Sequence, residues 1–245
     1  MTKKNFWKII KKVIKEVDVV LEICDARLPN LTRNKLVEKM VKKSKKKLII
    51  VFNKADLASE LKVNVKDDFV FVSCKKRFGF SKLRKMLNEL KKDSQIKVGV
   101  VGYPNTGKSS IINCLVGRRK ALTSPVAGFT KGVQWISDGK GLLFYDTPGV
   151  FPLEENDVRK AIIGAVMPED IENLQIVAEK IIEMLLKKKS VIEKTYKVEL
   201  KDEKPEEILK MIGRKLNYFK KGGEIDINRV CVKIINDWQR GKLRF

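Results

Sequence analysis

The sequence predicts an α/β fold, a doubly wound and mostly parallel sheet, followed by a small all-helical domain. Short runs of Val, Ile, Leu and Phe recur through the first 145 residues without strict polar alternation, which is typical of parallel strands buried on both faces. Helical stretches separate these runs, as crossover connections require. Beyond about residue 151 the strand pattern fades, and apolar residues recur at helical spacing instead.

Six runs are predicted strands, at residues 17–24, 48–52, 69–73, 96–101, 130–137 and 142–145. Helices are predicted between them at residues 32–43, 81–91 and 108–116. The first residues form an amphipathic helix with one lysine face, and we expect its apolar face to pack on the sheet rather than on a membrane. Three later helices contain Ile171 to Leu185, Ile208 to Phe219 and Ile227 to Trp238. We assign residues 1–164 to the α/β domain and 165–245 to the helical domain.

The net charge is strongly positive and unevenly distributed. The chain carries 53 Lys and Arg against 30 Asp and Glu, a formal charge of +23. Residues 1–95 hold 26 basic and 11 acidic residues, a surplus of 15. Lys/Glu enrichment that builds ion-pair networks needs both signs in similar numbers. The unpaired surplus therefore favours a polyanion partner, with RNA as the first candidate.

Composition also excludes some classes of protein, namely membrane-spanning and zinc-binding proteins. The apolar runs are too short to span a bilayer, and we expect a soluble, cytoplasmic protein without a membrane partner. The four cysteines form no C-x-x-C pair and the chain has no histidine, so a zinc site is not predicted. No oligomeric state can be assigned from the sequence.

The segment from Gly102 to Ser109 reads GYPNTGKS and fits the phosphate-binding loop pattern G-x-x-x-x-G-K-[ST]. It follows a predicted strand and opens a predicted helix, which is the context the motif requires. Its backbone N–H groups would surround the phosphates, Lys108 would bridge the β- and γ-phosphates, and Ser109 would bind Mg²⁺. The remaining predicted contacts of this loop with the nucleotide come from Asn105, Thr106, Gly107 and Ser110.

The sequence Asn53-Lys54-Ala55-Asp56 directly follows a predicted strand and matches N-K-x-D. The Asp56 carboxylate would accept hydrogen bonds from N1–H and the 2-amino group of guanine. Adenine offers neither donor, and binding it would leave the carboxylate unpaired. Ser73-Cys74-Lys75, after the next strand, matches the element whose backbone N–H groups face guanine O6. GTP and GDP are therefore the predicted ligands.

A third motif, Asp146-Thr147-Pro148-Gly149, ends the sixth predicted strand. Asp146 would hold Mg²⁺ through water, and the Gly149 N–H would sense the γ-phosphate. Thr130, in Gly128-Phe129-Thr130, is expected to reach Mg²⁺ in the triphosphate state. The phosphate-binding loop, N-K-x-D, Ser73-Cys74-Lys75 and D-T-P-G each lie at the carboxyl end of a predicted strand, where doubly wound sheets bind ligands.

The order of the motifs is unusual, because the guanine-reading segments precede the phosphate-binding loop. With Asp25-Ala26-Arg27-Leu28-Pro29 after the first strand, this order resembles the YlqF/RbgA family of circularly permuted ribosome-assembly GTPases. The match covers residues 17–150 strongly and the helical tail more loosely. The resemblance implies a circularly permuted P-loop GTPase fold, action in the cytoplasm on the large ribosomal subunit precursor, and ribosomal RNA as the contact of the helical domain.

The resemblance also bears on catalysis. Asn105 resembles the asparagine with which related GTPases use K⁺ near the phosphates, although an ordinary loop asparagine is an alternative. Val150 follows the third motif and cannot orient water, and the family's N-terminal histidine has no counterpart here. We therefore predict slow hydrolysis that depends on Lys108, Thr130, Gly149 and Asn105 and is stimulated by K⁺ and ribosomal particles.

Two other functions stay open. One is a GTP-regulated RNA-binding module with little intrinsic hydrolysis. The other is the permuted GTPase family that acts on the small subunit, which is disfavoured because its OB barrel and Cys/His zinc module have no counterpart in this sequence.

Overall fold

A computed structural model describes residues 3–58, 60–91, 94–117, 134–147 and 156–244. The chain divides into two compact units, Met1–Glu155 and Asn156–Phe245. The division lies nine residues before the boundary expected from the sequence, because the helix Asp157–Ile162 contacts later helices of the second unit.

The first unit is built on a six-stranded sheet of order β3-β2-β1-β4-β6-β5. Five strands are parallel, and β5 pairs antiparallel with β6 at one edge. The strands are β1 (Val19–Asp25), β2 (Lys47–Asn53), β3 (Asp68–Phe71), β4 (Ile96–Val101), β5 (Gln134–Ser137) and β6 (Leu142–Asp146). The predicted α/β class and sheet are confirmed, and residues 130–133 of the fifth predicted strand lie outside the described residues.

Both faces of the sheet are buried, which explains the continuous apolar runs. Alternate residues of β1 belong to different core clusters: Leu21 faces one side of the sheet, and Val20 faces the other. The chain winds outward from β1 to β3 and then resumes at β4 on the opposite side of β1. The carboxyl ends of β1 and β4 therefore flank the switch point, where open α/β sheets bind ligands.

The described residues of the first unit form five α-helices: α1 (Lys3–Glu16), α2 (Pro29–Thr32), α3 (Lys35–Lys43), α4 (Phe80–Glu89) and α5 (Lys108–Val116). The apolar face of α1 packs on the sheet, with Ile10 and Val13 buried. Gly99 of β4 permits this close approach, since a Cβ there would lie 2.7 Å from a methyl carbon of Val13.

The single helix predicted at residues 32–43 is instead two helices, and the prediction was wrong at this break. Thr32 ends α2, where its Oγ1 accepts from the Asp25 N–H at 3.0 Å. Asn34 then starts α3 as its N-cap, and its Oδ1 accepts from the backbone N–H groups of Leu36 and Val37, both at 3.1 Å. The two Asn34 bonds satisfy N–H groups that a continuous helix would satisfy internally, and the Thr32 bond ties the end of α2 to β1.

The second unit is helical throughout its regular structure in residues 156–244. Its helices are α6 (Asp157–Ile162), α7 (Leu174–Leu185), α8 (Lys189–Tyr196), α9 (Pro205–Lys215) and α10 (Ile227–Gln239). The sequence patterns predicted α7, α9 and α10 but not the short α6 and α8. Trp238 of α10 is fully buried, and its indole N–H donates to the Ile162 carbonyl of α6 at 2.7 Å.

Helix α9 ends earlier than the sequence suggested. We expected it to include Phe219, but Asn217 adopts the left-handed conformation directly after the last turn, and the Tyr218 N–H closes onto the Gly213 carbonyl at 2.9 Å. Among the described helices, none combines the length and apolar character that crossing a bilayer requires.

Candidate nucleotide-binding site

Four loops meet along one edge of the sheet, at the carboxyl ends of β2, β3, β4 and β6. They carry Asn53, Ser73, Gly102 and Asp146, one from each of the predicted motif segments. Because these strands are parallel and close together in the sheet, motifs far apart in the chain are brought side by side.

The loop after β4 encloses its own lysine. Lys108 is buried, and its ammonium donates to the carbonyls of Gly102 at 3.1 Å and Tyr103 at 2.9 Å. Burial lowers the pKa of Lys108 to about 8, although Asp146 acts to raise it. The loop also requires Gly102, where a Cβ would lie 2.4 Å from the Ile23 carbonyl oxygen of β1.

Asn53 joins three of the four loops. Its Nδ2 donates to the Thr106 carbonyl of the phosphate loop at 2.8 Å, and its Oδ1 accepts from the Cys74 N–H at 3.4 Å. A Cβ on Gly107 would lie 2.3 Å from the same Nδ2. The asparagine of N-K-x-D thus acts as the structural link between the segment after β2 and the phosphate loop.

Asp56 is held by the loop after β3. The buried Ser73 hydroxyl donates to its Oδ1 at 2.5 Å, and the Ser73 oxygen in turn accepts from the Lys76 N–H at 2.9 Å. Gly79 allows this loop to close on β3, since a Cβ there would lie 2.1 Å from the Phe71 carbonyl oxygen. The two guanine-reading segments therefore form one hydrogen-bonded unit.

Ser109 and Asp146 lie together, as a shared magnesium site requires. The Ser109 hydroxyl donates to Asp146 Oδ2 at 3.2 Å. Asp146 Oδ1 is buried and has no hydrogen-bond partner among the described residues. Burial raises the pKa of Asp146, while Lys108 and Ser109 lower it. A hydroxyl beside a carboxylate with an unused oxygen suits Mg²⁺, which prefers oxygen ligands, so these residues fit the ion.

A buried ion-pair cluster borders the site, and it was not predicted from the sequence. Asp25, at the end of β1, pairs through Oδ2 with Lys54 Nζ and with Arg27 Nη2, both at 2.8 Å. Arg27 Nε also donates to Asp25 Oδ1 at 3.1 Å. The D-A-R segment therefore contacts the N-K-x-D segment directly.

The comparisons with known proteins agree with this geometry. A family model described as a 50S ribosome-binding GTPase matches residues 97–215. An uncharacterised GTP-binding protein of Methanocaldococcus jannaschii is 45% identical over 247 residues, 97% of this chain and 66% of that protein. Nucleolar GTP-binding protein 2 of Pneumocystis carinii is 32% identical, over 99% of this chain and 53% of its own length. GDP-bound YlqF from T. maritima aligns with a TM-score of 0.67 at 29% identity, covering 96% of each chain.

The chain belongs to the YlqF family of circularly permuted GTPases. This confirms the family resemblance inferred from the order of the motifs, and the permuted G-domain fold with it. The chain spans about half the length of the nucleolar relative, 53%, and 66% of the M. jannaschii relative.

Within this permuted G domain, the predicted site residues divide into three groups. Lys54, Asp56, Ser73, Lys108, Ser109 and Asp146 have the side-chain contacts given above, and Asn53 and Thr106 link the loops. Lys75 and Ser110 are at least partly exposed near the same edge, and Cys74 contributes its backbone N–H. Thr130 and Gly149 lie outside the described residues, so their predicted roles stay predictions.

Asn105 lies in the phosphate loop with a left-handed backbone, at φ 58°. Asparagine tolerates this conformation better than most residues, which gives a local reason for its presence. The role in K⁺ binding is therefore a separate prediction that its backbone geometry does not decide.

Proposed function

We propose that this protein binds GTP and GDP at the edge formed by β2, β3, β4 and β6, and that it hydrolyses GTP to GDP and phosphate. The observation that carries the proposal is a pair of hydrogen bonds: Asn53 to Thr106 joins the base-reading segment after β2 to the phosphate-binding loop, and Ser73 to Asp56 joins the two base-reading segments to each other. A GDP-bound relative with the same fold supports the choice of nucleotide.

The protein's own groups have distinct tasks in this proposal. Asp56 accepts from the purine edge, and the backbone around Lys108 surrounds the phosphates while its ammonium neutralises them. Ser109 and Asp146, with Thr130 in the triphosphate state, would hold Mg²⁺, which when bound offsets charge on the phosphates. Gly149 would sense the γ-phosphate through its N–H.

We propose slow intrinsic hydrolysis that K⁺ stimulates through Asn105. An aliphatic residue, Val150, follows the D-T-P-G motif and cannot orient the attacking water, so a cation near the phosphates would contribute charge stabilisation. A GTP-regulated RNA-binding module with little hydrolysis is the alternative, and turnover by the purified chain distinguishes the two.

We further propose that GTP hydrolysis times a step in large ribosomal subunit assembly in the cytoplasm, with ribosomal RNA as the partner. The family model's description as a 50S ribosome-binding GTPase supports this partner. The surplus of basic residues in the first 95 positions supports an RNA-facing surface as well. In this proposal RNA contacts both the helical unit and the first 95 residues of the chain.

One basic surface of the G domain fits such a contact. A groove of about 430 Å³ lies at the amino ends of β1, β2 and β4, the edge opposite the nucleotide motifs. Lys45, Lys46 and Lys47 line it, beside Lys43 at the end of α3. Lys47 pairs with Asp68 at 2.5 Å, whereas Lys43, Lys45 and Lys46 make no ion pair with any described residue. These lysines would be free to contact phosphates.

The hydrolysis proposal is tested by phosphate release from GTP, in K⁺ and in Na⁺ buffer, with and without large-subunit particles. We expect slow release that K⁺ and particles accelerate, and none from Lys108→Met. Turnover that is fast in Na⁺ without particles would contradict the proposed mechanism. Nucleotide binding without any release under all four conditions would favour the RNA-binding alternative.

The RNA proposal is tested by co-sedimentation with each ribosomal subunit over a salt series. Replacing Lys43, Lys45 and Lys46 by Glu should weaken binding to the large subunit and reduce its salt dependence. The same charge change at the exposed Lys62, Lys66 and Lys82 is the control and should weaken binding less. Equal losses in the two triple variants would contradict a contact at this groove.

A further inference from the structure

We propose that Asp25 is a positioning residue for guanine recognition, acting through Lys54 on the segment that carries Asp56. The inference rests on the proposed guanine-nucleotide binding and assigns a role to the D-A-R segment at the end of β1.

The contact is specific and almost fully removed from solvent. The Asp25 side chain is 1% exposed and the Lys54 side chain 21%, and their charged atoms lie 2.8 Å apart. Arg27 reaches both carboxylate oxygens of Asp25, and the Arg27 N–H adds a third bond to Oδ1 at 3.0 Å. A carboxylate held by two cations and a backbone donor has a single well-defined position.

The balance of charge favours the ionised carboxylate. Burial alone would raise the pKa of Asp25, but Lys54 and Arg27 together hold it below its usual range. Burial lowers the pKa of Lys54, and Asp25 opposes that effect. Removing the carboxylate would leave the buried Arg27 and the partly buried Lys54 as neighbouring cations without their shared partner, and like charges would then separate.

Lys54 occupies a conformation that needs such support. Its backbone is left-handed, with φ 60° and ψ 30°, which is unfavourable for a residue with a Cβ. This turn lies between Asn53, which bonds the phosphate loop, and Asp56, which faces the base in the proposed complex. Holding the Lys54 ammonium at the end of β1 therefore fixes the direction in which Asp56 leaves the strand.

The effect should be selective for the base. The phosphate loop has its own support, because Lys108 bonds the carbonyls of Gly102 and Tyr103, and neither bond involves Asp25. Loss of the Asp25 carboxylate should therefore disturb recognition of guanine more than recognition of phosphate. A general loss of folding would affect both equally.

The test is titration of the full chain with GDP, IDP and inorganic tripolyphosphate. IDP lacks the 2-amino group that Asp56 accepts from, so the ratio of GDP to IDP affinity reports the placement of Asp56. We expect Asp25→Asn to weaken GDP binding by about tenfold or more, to lower that ratio, and to leave tripolyphosphate binding unchanged. Unchanged GDP binding, or equal losses for GDP and tripolyphosphate, would overturn the inference.

A double-variant cycle tests whether Asp25 acts through Lys54. In the Lys54→Gln background, Asp25→Asn should cause no further loss of GDP affinity, whereas additive losses would contradict the coupling. Should Asp25→Asn fail to fold, Asp25→Glu retains the charge but shifts it by one methylene, and it should still lower the GDP to IDP ratio. An unaltered ratio in a folded Asp25→Glu chain would count against the inference.

The matched control is Glu38→Gln. Glu38 forms a comparably buried ion pair with Arg33 at 2.8 Å in the same unit, and its side-chain ion pairs and hydrogen bonds within the described residues go to Arg33 and Lys35 rather than to the nucleotide motifs. It should lower thermal stability while keeping GDP affinity and the GDP to IDP ratio. If the unaltered chain itself fails to bind GDP, the proposed function fails; if it binds GDP and Asp25→Asn binds equally well, only this inference fails.

Discussion

The side chain of Asn53 bonds the backbone of Thr106 at 2.8 Å, across 53 positions of sequence. This bond joins the segment proposed to read the base to the loop proposed to surround the phosphates. The donor, the Asn53 amide, is buried at the end of β2. Loss of the Thr106 carbonyl as acceptor would leave this amide without a hydrogen bond in a buried position. In this permuted domain, one hydrogen bond therefore couples two halves of the nucleotide site that are distant in the chain.

Gly107→Ala tests that coupling. The added Cβ would lie 2.3 Å from Asn53 Nδ2, so the amide must move and its bond to Thr106 must lengthen. We expect GDP affinity to fall by about tenfold or more, the cost of one buried bond lost. Gly117→Ala is the control, because Gly117 also has a positive φ, 80°, but has no atom within 4 Å of its Cβ position. A similar GDP affinity in both variants would contradict the coupling.

Asp56→Asn should change the preferred base. Asparagine offers one acceptor and one donor where aspartate offers two acceptors. Xanthine presents N1–H beside a carbonyl, which matches that pair, whereas the guanine 2-amino group faces the new donor. We expect Asp56→Asn to prefer XDP over GDP, measured by competitive titration. Retention of a GDP preference would show that Asp56 does not face the base edge.

Lys108 should make stability depend on pH. Its pKa in the folded chain is about 8, below the ordinary 10.5, so between these values the unfolded chain binds more protons. The free energy of unfolding should therefore rise with pH over this window, by at most about 1.4 kcal/mol per pH unit. Denaturant titrations without nucleotide at pH 8, 9 and 10 would measure it. Lys108→Met should remove this contribution, and an identical pH dependence in both proteins would contradict the burial of a charged lysine.

Glu22 should have the opposite effect at lower pH. Burial in β1 raises the pKa of the Glu22 carboxyl to about 8, and the hydrogen bond from the Asn34 N–H opposes this rise. Among the neighbouring charges, Glu38 raises the pKa of Glu22, whereas Arg33 and Lys35 lower it. Between about 4.5 and 8 the folded chain binds the extra proton, so the free energy of unfolding should fall as pH rises through this window.

Glu22→Gln keeps an acceptor for the Asn34 N–H, which lies 2.6 Å from Oε1, and removes the titration. We expect this variant to gain stability relative to the unaltered chain from pH 5 to 8, with a difference that grows by at most about 1.4 kcal/mol per pH unit. Denaturant midpoints across that range would measure the difference. A constant difference would mean that Glu22 does not titrate there.

The sequence was sufficient for the strands and their carboxyl-end motifs. Continuous apolar runs such as residues 96–101 report burial on both faces, and glycines at 102 and 107 mark where the backbone turns tightly around phosphate. These are local signals, with the phosphate itself still a prediction, and the order of the motifs along the chain was enough to identify the permutation. The antiparallel β5 was not distinguishable, because a short edge strand has the same local pattern in either direction.

The features that were not predicted from the sequence depend on contacts between different strands and helices. The Asp25–Lys54 pair exists because β1 and β2 are adjacent and in register, with Asp25 opposite Asn53. The break after Thr32 depends likewise on a bond to the Asp25 backbone, which helical periodicity does not encode. A signal that could have pointed to Asp25 is an acidic residue directly after a predicted buried strand, beside the switch point of the sheet.

The most direct test of the account is titration of the purified chain with GDP and ADP in the presence of Mg²⁺. We expect saturable GDP binding and no detectable ADP binding, because only guanine presents two donors to Asp56. Equal binding of the two nucleotides, or binding of neither, would contradict it.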